Sequence, residues 1–503
     1  MMGRHLVLAA LVAVLMTNMA SMSQAHAAAS TGLSAVETLD ALAKGTTTSE
    51  ALVKATLAAL AARPDLNAIT AIDGDRALAA ARSIDARRAA GQPLGPLAGL
   101  PIVVKDNIHL AGLPNTAGTP ALKNFVPDTN APVVQKLIEA GAVVIAKTNM
   151  HELAFGISGY NTAFKTAAEP GVRNAYDATR FAGGSSSGTG AVVGARLVAA
   201  GLGSDTGGSV RIPCAVNGCV GLRPTVGRYP GEGITPISHT RDTAGPMART
   251  AADVELLDRV VTGAAPQGPA DPAAIRLGIA EPFLAGLDAD IKAAFDAALD
   301  KLRARGFAIV PVEMTDLMEL NSRVSFPVAL YEAYDDLKAY LARYVPGLTV
   351  EAVAAEISSP DVKGTYMGLV LPRKLPGPNN TVVDALPAYQ EAITKWRLAL
   401  QALYAETFSK NRIDALAFPT VPRVAITADP ESSSLANFLE FIRNTDPGSN
   451  AGIPGITVPI GLGATSHVPI GLELDGPAGS DRQLIAIAQA VETTLGPLPP
   501  PSR

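Results

Sequence analysis

Three adjoining segments between residues 101 and 146 constrain the fold more than anything else in this chain. Pro101-Ile-Val-Val104 is a short β-branched run and reads as a buried strand. Pro132 to Ala140 reads as a helix: Pro132 suits the first helical position, where its missing N–H costs nothing, and Gly141 stops it. Ala142 to Ala146 reads as the next strand. Strand, helix and strand in that order predict an α/β fold with parallel strand pairs.

The same texture continues along the chain. Ser49 is expected to cap a helix carrying Leu52, Leu57 and Leu60, and a second helix is expected over Arg76 to Ala90. Asp288 to Arg305, ended by Gly306, and Asp481 to Thr494 also read as helices. Phe307 to Val312, Ile413 to Pro419, Ile456 to Ile460 and Pro469 to Leu474 read as strands. Thr262 to Pro272 is the best internal joint, and Pro372 to Asn380 reads as a loop on a variable rim.

At 503 residues and 48% hydrophobic content the chain can bury a large core and is not disordered. A net charge of −5 with no long Lys/Arg run gives no reason to expect nucleic-acid binding. Arg4 and His5 precede an apolar run, Leu6 to Met16, too short to span a bilayer. Ala25-His26-Ala27 follows with the small-x-small pattern of a signal-peptidase site. Residues 1–27 therefore read as a signal peptide cut after Ala27, and 28–503 as the mature chain, periplasmic or secreted. No later stretch has 18 uninterrupted apolar residues, so no stable membrane association is expected after cleavage. Cys214 and Cys219 read as buried thiols, with no adjoining base to activate them. His151-Glu152 begins like H-E-x-x-H but lacks the second His, so no metal is expected.

Eleven glycines fall between Gly183 and Gly221, with Ala191 to Ala200 read as a buried helix among them. Three segments here and upstream carry polar residues in apolar or glycine-rich surroundings. In Pro101-Ile-Val-Val-Lys-Asp-Asn107, Lys105 ends a buried strand. Desolvation lowers a lysine pKa, and a neutral lysine serves as a general base. The residues alone equally allow Lys105 to snorkel to solvent or to pair with Asp106. The second segment is Gly183-Gly-Ser-Ser-Ser-Gly188. In the third, Gly203-Ser-Asp-Thr-Gly-Gly-Ser-Val-Arg-Ile-Pro213, the backbone N–H groups of Thr206, Gly207, Gly208 and Ser209 are able to converge as an oxyanion hole. Asp205 and Arg211 flank that turn and are better placed to brace it than to react.

These segments resemble the amidase signature enzymes, whose hallmark is a Gly-Gly-Ser-Ser box followed by Asp-x-Gly-Gly-Ser-x-Arg-x-Pro. The chain has Gly183-Gly184-Ser185-Ser186 and Asp205 to Pro213, with Ser185 and Ser209 standing 24 positions apart. Lys147 to Glu152, Gly221 to Thr225, Asp242 to Pro246, Asn450 to Pro454 and Pro469 to Glu473 extend the resemblance over nearly the whole mature chain. The resemblance implies an α/β amidase-signature fold: a large mixed, mostly parallel twisted sheet with helices on both faces. It implies one catalytic domain over 28–503, with a signature core of about 98–250. Ser209 would be the nucleophile, Ser185 the bridging serine held by a cis peptide and Lys105 the base. The activity implied is amide hydrolysis through an acyl-enzyme, without a cofactor, on a small-molecule amide. Ala182, Ser187 and a long Lys165 to Arg173 segment depart from the family pattern. The C-terminal Asn444 to Pro454 run and Ile237 to Asp242 look most like members acting on arylalkyl amides.

Rival readings differ in what they require. Gly184-Ser-Ser-Ser-Gly188 also fits G-x-S-x-G, with Ser186 as nucleophile, but Arg180 to Gly184 is a poor preceding strand. Phosphate-binding glycine spacings are incomplete. A peptide amidase, an aryl acylamidase or esterase of the same family, and a non-catalytic periplasmic binding protein are the alternatives. A tRNA-dependent amidotransferase subunit conflicts with export. A homodimer is left open.

Overall fold

The computed structural model describes residues 32–165, 169–377, 379 and 381–502. The expected signal peptide therefore lies outside the described residues, as does part of the Lys165 to Arg173 segment. Among the described residues no helix is long and apolar enough to cross a membrane.

Among the described residues thirteen strands run in chain order: β1 Ile69–Ile72, β2 Pro101–Lys105, β3 Val143–Thr148, β4 Ala200–Asp205, β5 Val220–Arg223, β6 Thr243–Ala248, β7 Arg276–Ala280, β8 Ala308–Val312, β9 Lys374–Pro376, β10 Val382–Asp384, β11 Ala415–Pro419, β12 Gly455–Leu462 and β13 Pro469–Asp475. Eleven of them form one sheet in the order β1-β3-β2-β4-β6-β5-β12-β13-β11-β7-β8. The sheet is large and mixed, as expected. Parallel pairing is confined to β3-β2-β4 and β11-β7-β8, four of its ten strand pairs. A mostly parallel sheet thus holds only at these two wings. Strands β6, β5, β12 and β13 join them by antiparallel pairs.

Side chains of alternate strand residues go to opposite faces. Ile102 and Val104 pack with Val133, Leu137, Val254 and Leu484 from helices on one face. Val103 packs with Val53, Ala81 and Val192 from helices on the other. Strands buried on both sides read as unbroken apolar runs, which is why Pro101 to Val104 was legible.

Three local expectations are corrected. Thr48, not Ser49, caps the Ser49–Ala61 helix: its hydroxyl accepts the Ala51 N–H at 3.1 Å, while the Ser49 and Glu50 N–H groups donate to Asp85. The helix expected over 191–200 spans Ser187–Gly194 instead, and Ala200 opens β4. Gly194 lets this helix sit against its neighbour, since a Cβ there would lie 2.2 Å from the Asn217 carbonyl oxygen. Within 372–380, β9 pairs with β10 in a small hairpin rather than forming a plain loop.

Candidate active site

The carboxyl ends of β2 and β4 lie side by side and deliver Lys105 and Ser204 to one place. Lys105 is fully buried. Its Nζ lies 2.7 Å from Ser185 Oγ, 2.9 Å from Ser204 Oγ and 3.4 Å from the Ser204 carbonyl. A neutral amine has two N–H donors and one lone pair, which matches three such partners: two donors for the Ser204 oxygens and the lone pair for the Ser185 hydroxyl. Burial pushes the Lys105 pKa down to about 7, against the opposing pull of the Asp205 and Asp242 charges. Asn107 Nδ2 donates to Ser204 Oγ at 3.0 Å and fixes that hydroxyl.

Asp106 is not the partner of Lys105. It points to the other buried lysine, Lys147, at 3.5 Å, and accepts the Thr116 hydroxyl. Lys147 also donates to Asn115 Oδ1 at 3.0 Å. Burial lowers the Lys147 pKa to about 8, with Asp106 opposing.

Ser185 follows a cis peptide bond after Gly184. Its carbonyl accepts the His151 N–H at 3.1 Å. Ser186 is fully buried; its hydroxyl donates to the Ser204 carbonyl at 3.1 Å, and its N–H donates to the Ser209 carbonyl at 3.0 Å. It begins the Ser187–Gly194 helix as a structural link between the two serine segments. No strand precedes it, and the G-x-S-x-G reading loses its required context.

Asp205, at the end of β4, organises the turn that follows. Its carboxylate accepts the Gly208 N–H at 2.8 Å and the Val210 N–H at 3.0 Å. Arg211 reaches it at 3.1 and 3.2 Å, and Arg223 at 3.1 Å. Burial alone would raise this carboxyl pKa, but the two guanidinium groups prevail and hold it well below the usual carboxylate range. Arg211 is anchored in turn by Glu473 Oε1 at 2.9 Å and Ser449 Oγ at 2.7 Å. Asp205 and Arg211 thus hold the turn through these hydrogen bonds.

The four-donor oxyanion set needs one correction. The Gly208 N–H is spent on Asp205, because a buried carboxylate that shapes the turn requires donors from it. Thr206, Gly207 and Ser209 are the members that line the adjoining cavity. Gly208 serves the turn in another way, with φ at +141° and a backbone pressed against Thr445. A Cβ there would fall 2.2 Å from Thr445 Oγ1. Gly208→Ala is expected to cost about 2–4 kcal/mol in urea unfolding through strain and overpacking. An unchanged unfolding midpoint would remove this role.

The cavity holds about 370 Å³. Ser209 lies at its floor beside Thr206 and Gly207, and its walls are largely apolar, with Phe155, Phe326, Leu330, Leu369 and Phe438. Phe326 and Leu330 come from the 28-residue helix Leu317–Tyr344, which Pro327 interrupts in sequence pattern. Pro376 of the β9–β10 hairpin also lines it, so the 372–380 segment does reach the rim. Thr206 is pinned twice: its hydroxyl donates to Asp242 at 2.6 Å, and its carbonyl accepts from Arg241 at 3.2 Å.

Sequence reasoning gave Ser204, Asn107, Arg223, Arg241 and His151 no role in the site. All five fall inside the segments named above, but only the tertiary structure shows that Ser204 meets Lys105 and Arg223 meets Asp205. Outside the cavity, His239, Glu332 and Asp336 bring potential ligand atoms within 4.8 Å of one another. Glu332 already accepts from Ser238, Thr240 and Tyr389, and Asp336 from the His239 amide. That cluster clamps the long helix to the loop before β6. Cys214 and Cys219 are buried free thiols, as expected.

A buried lysine–serine contact, a braced glycine turn and a serine at the floor of an apolar cavity define a hydrolase site on an α/β scaffold. The comparisons with known proteins give the family. The family model for amidases matches residues 51–485. Mandelamide hydrolase of Pseudomonas putida is 47% identical over 457 residues, covering 91% of this chain and 90% of that protein. Indoleacetamide hydrolase of Rhizobium radiobacter is 40% identical over 88% of this chain and 93% of its own length. Among solved structures, the peptide amidase of Stenotrophomonas maltophilia is 29% identical with a TM-score of 0.77, covering 93% of this chain and 98% of that one. The chain belongs to the amidase family and is an amide-cleaving hydrolase.

Proposed function

We propose that the protein hydrolyses a primary arylalkyl amide to the acid and ammonia, with Ser209 as nucleophile, Ser185 as proton relay and Lys105 as base. The observation that carries this reading is the 2.7 Å contact between the buried Lys105 Nζ and Ser185 Oγ, beside a cavity floored by Ser209. Neutral Lys105 takes the Ser185 proton as Ser185 takes that of Ser209. The Ser209 oxygen attacks the amide carbonyl, whose developing charge is met by N–H groups of the Thr206–Ser209 turn. On collapse, Ser185 gives a proton to the leaving nitrogen and regains one from Lys105. Ammonia leaves, and water cleaves the acyl-enzyme by the same relay.

The aromatic and aliphatic walls support an arylalkyl acyl group, as do the relatives that act on mandelamide and indoleacetamide. Residues 1–27 support export, so the mature enzyme is proposed to act in the periplasm or outside the cell, free of the membrane. Ammonia release by the purified 28–503 chain is the test. Turnover of phenylacetamide, mandelamide or indole-3-acetamide at least about tenfold above propionamide and peptide amides is expected. Preference for peptide amides would replace the substrate class, and no release from any amide would overturn the mechanism.

A further inference from the structure

Of the three charged side chains that line the cavity, Arg241 and Asp446 pair with each other, and nothing in the chemistry at Ser209 uses the third, Asp361. Asp361 lies in the first turn of the short Pro360–Thr365 helix and lines the cavity that Phe155, Ile157 and Leu369 also line. The segment that carries it is held from behind. Glu152, fully buried, accepts the Ser358 N–H at 3.1 Å and the Ser359 N–H at 2.7 Å.

The hydrogen-bonding of His151 fixes what Asp361 presents. His151 is fully buried. Its Nδ1 lies 3.2 Å from the Gly159 backbone N–H, which has only a proton to give. Nδ1 therefore accepts, the ring proton sits on Nε2, and Nε2–H donates to Asp361 Oδ2 at 2.9 Å. As the partner that accepts this N–H, Asp361 stands as a carboxylate, an acceptor without a donor, in a cavity whose lining is largely apolar.

We propose that Asp361 is a specificity-determining residue that selects amides whose acyl group carries a hydrogen-bond donor, such as a ring N–H or a hydroxyl. A bare aromatic ring strips water from this carboxylate and gives nothing back. A donor replaces the lost water with a charge-assisted hydrogen bond. The proposal rests on the arylalkyl-amide reading and narrows it.

The test compares matched pairs: mandelamide with its O-methyl ether, the three hydroxyphenylacetamides with their methyl ethers, and indole-3-acetamide with its N-methyl derivative. In the wild type, kcat/KM for at least one donor-bearing member is expected to exceed that of its methylated partner by about 10-fold or more. Asp361→Leu is expected to bring that ratio to within about twofold of unity. Asp361→Asn is expected to remove most of it: His151 Nε2–H captures the new carbonyl oxygen, leaving the NH₂ as a donor to the cavity, which a hydroxyl and its methyl ether accept alike. A purely structural role would lower both members of a pair together and leave the ratio where it was, which would overturn the proposal. So would a wild-type enzyme that cleaves phenylacetamide with no donor preference in any pair, even if neither variant folds. Failure to cleave any amide would instead sink the arylalkyl-amide reading and the proposal with it.

Discussion

Ser209→Ala is expected to lower kcat for amide hydrolysis by at least about 10⁴-fold, with the melting temperature held within about 2 °C. The size of the effect follows from what each serine touches. Ser185 and Ser186 are completely enclosed, the first against Lys105 and the second against the Ser204 carbonyl. Ser209 lines the cavity beside Thr206 and Gly207, within reach of a molecule that enters it. The lone hydroxyl removed at the cavity floor takes little from the core, so the loss is chemical. Ammonia release and a thermal melt on the same preparation separate the two. Retained turnover in this variant, with loss in Ser186→Ala, would transfer the nucleophile to Ser186 and revive the G-x-S-x-G reading.

Lys105→Met is expected to cost about 10²–10⁴-fold in kcat/KM, the range supplied by a positioned general base. The wild-type pH profile provides the sharper test. Burial holds the Lys105 pKa near 7, below the ordinary 10.5, so the neutral form dominates above pH 7 and the ammonium below it. Only the neutral amine has a lone pair for the Ser185 proton. The activity should therefore fall as pH drops through about 7 and rise to a plateau above it. In Lys105→Met that acid limb should vanish along with most of the rate. An acid limb that persists in the variant at the same pH would assign it to another group and remove Lys105 as the base.

Much of the site was readable because its chemistry depends on local sequence. Lys105 follows an apolar strand, the two serines sit in glycine-rich boxes, and Asp205 and Arg211 flank the second box. The pairing of Lys105 with Ser185 rather than Asp106 was not readable from the residues alone, which allow both partners; only the resemblance to the amidase signature enzymes implied it. The withdrawal of the Gly208 N–H into Asp205 was equally hidden, since four consecutive N–H groups look alike until a carboxylate takes one.

The sequence by itself determined the elements with strong periodicity and clear stops: β2, the Pro132–Glu139 helix, the Ala289–Arg305 helix ended by Gly306, and the closing Asp481–Leu495 helix. In each, the buried residues follow the pattern of apolar positions in the sequence, so local preference and tertiary packing point the same way. Tertiary structure alone decided the rest. Ala200-Gly-Leu-Gly203 has weak strand preference, and becomes β4 because β2 and β6 offer it hydrogen-bonding edges on both sides. Much of the antiparallel centre of the sheet arises the same way, from residues 38 to 48 positions apart in β4–β6 and more than 200 apart in β5–β12, which no local window connects. That register is also what sets Ser204 against Lys105 and Arg223 against Asp205, and so turns scattered polar residues into one site.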